Sequence, residues 1–159
     1  MTPTYISRRV VVERLSLLNH LIGEIERLPL HDEDAFFADS RNVHTAESCL
    51  WRALEALFYI GRHILGKGYG VPAGSYRNIA TQLAEKEVLN KGEEKIFVQM
   101  AGYRNRLTLV YHEVSSAELF QVCVEDLGDL ASIRSAFQRW IRDNPHRIDN
   151  PLTDADRQD

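Results

Sequence analysis

Fifteen consecutive residues, Met100–Val114 (MAGYRNRLTLVYHEV), hold two arginines, a histidine, an asparagine and two tyrosines. A helix that only fills a core has no need of so many polar groups. The planar fork of arginine donates paired hydrogen bonds that suit a phosphate. Histidine is the usual proton donor or acceptor near neutral pH. Together, without metal ligands, such groups could support cleavage of RNA by its own 2′-hydroxyl. One group would take that proton while arginine offsets the charge building on the phosphate. The residue types alone are equally those of a solvated helix face.

The elements that would position these groups follow from apolar spacing. Ile96, Met100, Tyr103, Leu107 and Val110 follow one another at alternating steps of four and three, which is one face of a helix. Arg104, Thr108 and Tyr111 form a second stripe beside it. The same alternation runs through residues 8–28 (Val11, Leu15, Leu18, Ile22, Ile25) and 44–65 (Ala46, Leu50, Ala53, Leu57, Ile60, Ile64). After Ser115 a last helix carries Phe120, Cys123, Leu127, Leu130, Phe137 and Ile141. No run alternates with the period of a strand. The expected fold is therefore all-α, an up-down bundle of four long helices plus one short helix around Tyr76–Leu83.

Punctuation fits that reading. Pro29 ends the first helix, and Leu30–Asp39 reads as an acidic connection. Gly66–Gly74 reads as a flexible, turn-rich loop, and Ser75 as the cap of the short helix. Asn90-Lys91-Gly92 breaks that helix, and Ser115 with Glu118 spells a capping box. Residues 1–143 are expected to form the domain, and 144–159 a loose polar tail.

At 159 residues the chain suits one domain, and no apolar run approaches the roughly 20 residues of a membrane span. The amino terminus lacks a signal peptide's apolar region, so the expected location is the cytoplasm. Cys49 and Cys123 lie in apolar stripes and read as small buried hydrophobes. The glycine triplet Gly66, Gly68, Gly70 follows a helix and lacks the strand and Lys-Ser/Thr pair of a phosphate loop. His20 and His63 read as polar-face or satisfied core residues, and Trp51 and Trp140 as packing or subunit-contact residues. No metal site and no Ser–His or Cys–His nucleophile is expected. A net charge of −4 argues against broad duplex binding, though not against a local basic pocket.

Gly102-Tyr103-Arg104-Asn105-Arg106-Leu107, the preceding helix from Ala46 to Leu65 and the Ser75-Tyr76 helix start resemble the HEPN domain. The resemblance is specifically to HepT-like (DUF86) toxins of HEPN–MNT toxin–antitoxin pairs, and it covers nearly the whole chain. Members of that family typically carry Arg-Asn-x-Leu-x-His-x-Tyr. The resemblance implies a metal-independent ribonuclease, with tRNA among the family's targets, working as a homodimer whose two motifs face each other across a cleft. It implies that Arg104 stabilises the phosphate and Asn105 holds the scissile group. Tyr111 matches the tyrosine to which a minimal nucleotidyltransferase antitoxin adds AMP, placing bulk and negative charge where substrate phosphates should sit. The antitoxin would be the ATP user, and no cofactor is expected for this chain.

One position departs from the family. In the register set by Arg104, Asn105 and Tyr111, Leu109 stands where the family has its catalytic histidine, and leucine carries no proton. Three explanations stand: an inactivated variant, a naturally silent homologue that survives as a binding module, or substitution by His112, which with Arg106 satisfies a looser Arg-x5-His spacing. His112 lies about 60° round the helix from position 109 and about 4.5 Å further along its axis. Catalytic geometry rarely tolerates an ångström of misplacement. Loss of the histidine therefore ranks above rescue by His112, and the chain is expected to have little nuclease activity. The competing readings are a non-catalytic helical partner of a nucleotidyltransferase and a plain helical dimer. The last is favoured if Arg104 is fully paired to an acidic residue.

Overall fold

Five helices begin the same way, with a Ser or Asp oxygen accepting one of the free first-turn amides. Ser7 accepts from Val10 N–H, Asp32 from Ala35, Asp39 from Arg41, Ser75 from Asn78 and Ser115 from Glu118, at 3.0–3.3 Å. The resulting computed structural model describes residues 2–72, 74–109 and 114–149, with the backbone alone at 109. Its α-helices are α1 (Arg8–Glu26), α2 (Glu33–Ala38), α3 (Ser40–His63), α4 (Tyr76–Glu85), α5 (Lys91–Leu109), α6 (Ser116–Glu125) and α7 (Leu127–Asp143). Among the described residues no strand forms, and the fold is all-α as expected. A single parallel bridge joins Ile6 to Ile148.

The helix α3 is the axis, and each of the other six α-helices packs against it. Its apolar stripe (Ala46, Leu50, Ala53, Leu57, Ile60) is at most 2 % exposed. An aromatic stack crosses the core next to it. Phe58 lies flat on Phe97 with centroids 4.1 Å apart, Phe97 meets Phe137 edge-on, and Tyr76 meets Phe58 edge-on at 4.9 Å. Where α3 crosses α4, Gly61 leaves no room for a side chain. A Cβ there would stand 2.9 Å from Leu83 Cδ1 and 3.2 Å from Ile79 Cγ2.

Several local features differ from the sequence expectation. The acidic connection contains the six-residue α2, which buries Phe36 against Phe37 and Phe120. The expected last helix is two, α6 and α7, divided at Asp126 (φ −111°, ψ 3°), whose carbonyl accepts from Asp129 N–H. Asp126, Gly128 and Asp129 are weak helix formers, so a break there costs little. The capping box at Ser115 is half made, because the Glu118 carboxylate is turned to Arg106. The reciprocal box forms at α5 instead, where Asn90 Oδ1 accepts from Glu93 N–H and Glu93 Oε1 accepts from Asn90 N–H. The glycine-rich loop is not a free connector at its start. Ile64–Gly68 continues α3 as one π-type turn with Leu65 and Gly68 buried, and Gly70 takes φ 66°, where glycine is unstrained.

Residues 144–149 are tied down. Pro145–Arg147 forms a 3₁₀ turn, Ile148 is 6 % exposed, and Ile6 exchanges backbone hydrogen bonds with Arg147 and Asp149. The Asp149 carboxylate also accepts from Arg8 N–H at the start of α1. Residues 150–159 lie outside the described residues. Cys49 and Cys123 are free and buried, and burial pushes the Cys123 thiol up to about 11. Among the described residues no helix is long and apolar enough to cross a membrane.

At the end of α3, His63 Nε2 accepts from Ser7 N–H at 3.0 Å, which requires an unprotonated Nε2. Burial, and then nearby Lys67, lower its pKa below the ordinary value. The unfolded chain therefore takes up a proton first as pH falls through about 6.5. The stabilisation is complete above that pH and is lost as pH drops towards the lower native value. Thermal melts between pH 7.5 and 5.5 should show an acid loss of Tm that His63→Gln, which keeps an acceptor, largely removes. Gly61→Val should cost about 1–3 kcal/mol by overpacking, read as a Tm lower by about 2–4 °C per kcal/mol.

Candidate active site

The polar stripe of α5 faces a matching stripe on α3, with the first residue of α4 between them. Arg104 is the centre. Its Nε donates to Glu55 Oε1 at 2.6 Å, and its guanidinium lies 3.9 Å over the Tyr76 ring. The Tyr76 hydroxyl donates to the same carboxylate, 3.2 Å from each oxygen. Arg104 Nη1 reaches Asn105 Oδ1 at 3.4 Å, and among the described residues no acceptor bonds Nη2. One turn on, Thr108 donates to the Arg104 carbonyl and accepts from Trp51 Nε1, both at 2.9 Å. The Arg104 side chain is 14 % exposed and that of Glu55 32 %. The guanidinium is therefore held in one plane by Glu55 and the Tyr76 ring.

Beyond Trp51 the seam opens into a cavity of about 350 Å³ lined by His44, Glu47, Ser48, Trp51, Leu107 and Thr108. Trp51 is thus neither buried packing nor idle, while Trp140 is a core residue at 5 % exposure.

The opposite side of α5 does other work. Arg106 pairs with both Glu118 oxygens at 2.6 and 2.8 Å, tying α5 to α6 and holding the Glu118 carboxyl below its usual range. The Tyr103 hydroxyl is buried with no hydrogen-bond partner among the described residues, and burial pushes its pKa far above that of a free phenol. Neither group shares a surface with Arg104, since residues one or two apart lie on different helix faces.

Of the expected site residues, Arg104 and Asn105 are together on the α3–α4–α5 seam. Leu109 is the last residue of α5, described by its backbone alone, and Tyr111 and His112 lie outside the described residues. Arg104 is paired with a carboxylate, as a plain helical dimer would have it, but the bonds to Glu55 engage only Nε. Glu55 and His44 were not singled out in the sequence. Their signal is the spacing of His44, Ser48, Trp51 and Glu55 at steps of four, three and four, a polar stripe beside the apolar one of α3. Among the described residues no group of three or more His, Cys, Asp or Glu is placed to hold a metal.

Comparison with known proteins agrees with the fold. The HEPN toxin of Shewanella oneidensis, tri-AMPylated and in complex with an MNT antitoxin, superposes with a TM-score of 0.73 at 20 % identity, over 82 % of this chain and 97 % of that one. A toxin–antitoxin structure with AMP-PNP gives 0.71 at 19 % identity, covering 80 % and 97 %. YutE of Bacillus subtilis, a cytosolic protein of unknown function, gives 0.71 at 15 % identity, covering 89 % and 95 %. No curated protein matches the sequence. The model of the family described as Ribonuclease HepT-like matches residues 18–137, most of the chain, with Glu55, Tyr76, Arg104 and Asn105 inside it. The chain belongs to the HepT-like ribonuclease family.

Proposed function

We propose that this chain is the toxin of a toxin–antitoxin pair, a homodimeric, metal-independent endoribonuclease directed at tRNA. The observation that carries the reading is the family match from α1 into α7, with Arg104 clamped by Glu55 and Tyr76 and its Nη2 bonded to no acceptor among the described residues. In the reaction the RNA 2′-oxygen gives up its proton to a base and attacks the neighbouring phosphorus, and the bond to the 5′-oxygen breaks, that oxygen taking up a proton, to leave a 2′,3′-cyclic phosphate and a 5′-hydroxyl. Arg104 offsets charge on the phosphoryl oxygens and Asn105 holds the scissile group. Proton transfer belongs to the position of Leu109, which cannot perform it, so this chain is weak or silent; His112 is the lesser candidate to replace it.

Control falls to a nucleotidyltransferase antitoxin. The Tyr111 oxygen bonds to the α-phosphorus of ATP, pyrophosphate leaves, and the phenolic proton goes to solvent. Two relatives of the same fold bear on this reading, one AMPylated in complex with an MNT antitoxin and one a toxin–antitoxin structure with AMP-PNP. A second reading is favoured by Leu109 together with the commitment of Arg104 Nε to Glu55. In it the chain is a non-catalytic helical partner of the nucleotidyltransferase, and Tyr111 serves as acceptor alone.

Leu109→His should raise RNA cleavage by about 10²–10⁴-fold, the usual worth of a positioned acid or base, and slow growth. Co-expression with the cognate nucleotidyltransferase should relieve the arrest and add AMP mass at Tyr111. Intact RNA and normal growth, with AMP still added, would leave the binding-partner reading in its place. In the Leu109→His background Arg104→Ala should abolish cleavage. Glu55→Gln, which keeps an acceptor without the charge, should lower kcat more than it raises KM, because Glu55 acts only by positioning Arg104.

A further inference from the structure

The Tyr76 ring serves two arginines. Arg104 lies 3.9 Å over it and Arg62, from the last turns of α3, 5.7 Å. From Arg62 the surface passes into a second cavity of about 290 Å³, lined by Thr2, Thr4, Tyr59, Arg62, His63, Gly66 and Lys67. Arg14 of α1 stacks 4.0 Å over the Tyr59 ring at its side. Tyr59 is 40 % exposed.

The cations at this cavity carry no counter-charge among the described residues. Arg9, Arg41, Arg104, Arg106 and Arg139 all meet carboxylates. Among the described residues Arg14, Arg62 and Lys67 meet none. Arg62 and Lys67 thus line a cavity whose Tyr59 ring carries Arg14, in a protein of net charge −4. The nearby Asp149 carboxylate is engaged by Arg8 N–H. Lys67 and Gly66 sit in the π-type turn, a feature frequent at functional sites. Thr2 and Thr4 bring hydroxyls to the same wall, and the backbone there is fixed by Thr4 N–H donating to the Lys67 carbonyl at 2.6 Å. Cations on a groove beside an exposed aromatic are what single-stranded nucleic acid requires, charge for its backbone and a π-face for an unstacked base.

We propose that this cavity is a phosphate subsite for single-stranded RNA, seating a backbone phosphate next to the one held at Arg104, with Tyr76 as the bridge between the two. The proposal rests on the ribonuclease reading above and extends it from the reacting phosphate to substrate recognition. Arg62 and Lys67 bind the phosphate, and the Arg14–Tyr59 pair offers the surface for its base. The glycine-rich segment contributes the Lys67 side chain, not a backbone cradle of the kind the sequence had excluded.

The test is fluorescence anisotropy with a short labelled single-stranded RNA across a salt series, on the unsubstituted chain, Arg62→Ala/Lys67→Ala and Arg104→Ala. Both replaced side chains are exposed, so thermal melting should not change. The double variant should weaken binding by about tenfold or more. Loss of that one neutralised phosphate should reduce the slope of log K against log salt by about 0.7. In the Leu109→His background the double variant should raise KM and leave kcat unchanged. If Arg104→Ala weakens binding while the double variant keeps the parental Kd and slope, the subsite is refuted and the ribonuclease reading stands. If the parent binds no RNA even at low salt, the subsite is also refuted, and cleavage by Leu109→His then decides the ribonuclease reading separately.

Discussion

A single carboxylate, Glu55, joins the three helices on which the site depends. It sits on α3, receives Tyr76 from α4 and receives Arg104 from α5. A guanidinium as covered as that of Arg104 is costly without a counter-charge and partner oxygens. The clamp also has a rigid backing. Tyr76, which carries the arginine on one face, meets Phe58 edge-on, and Phe58 is stacked on Phe97 in the core. The orientation of one donor at the surface is thus coupled to the packing of the aromatic interior.

The helix α5 separates two tasks by its own geometry. Positions 104 and 108 turn to α3 and α4, whereas 103 and 106 turn to α6, where Arg106 and Glu118 form a bidentate pair. Two arginines two residues apart therefore have different fates, one structural and one presented. The segment looks redundantly basic in one dimension, and in three dimensions it is not.

The fold was legible where buried faces are long enough to repeat. Steps of four and three placed α1, α3 and α5, because burial along α3 imposes that period. Elements without a period escaped. The helix α2 has six residues, the break at Asp126 lies inside a continuing apolar pattern, and Ile148 is a lone hydrophobe in a polar stretch. In the site, Arg104 and Asn105 were legible because they are neighbours on one helix. Glu55 was not, because it lies 49 residues from Arg104 in the chain, and Trp51 meets Thr108 across 57. Pairings at such separation are products of helix packing, and no local spacing announces them.

The bridge between Ile6 and Ile148 spans nearly the whole described chain, so the loop it closes is among the most entropically demanding contacts in the molecule. Contacts of that kind form late in folding, and burial of both side chains, Ile6 at 0 % and Ile148 at 6 % exposure, offsets the cost of closing the loop. The segment it holds carries Thr2 and Thr4, the wall of the Lys67 cavity.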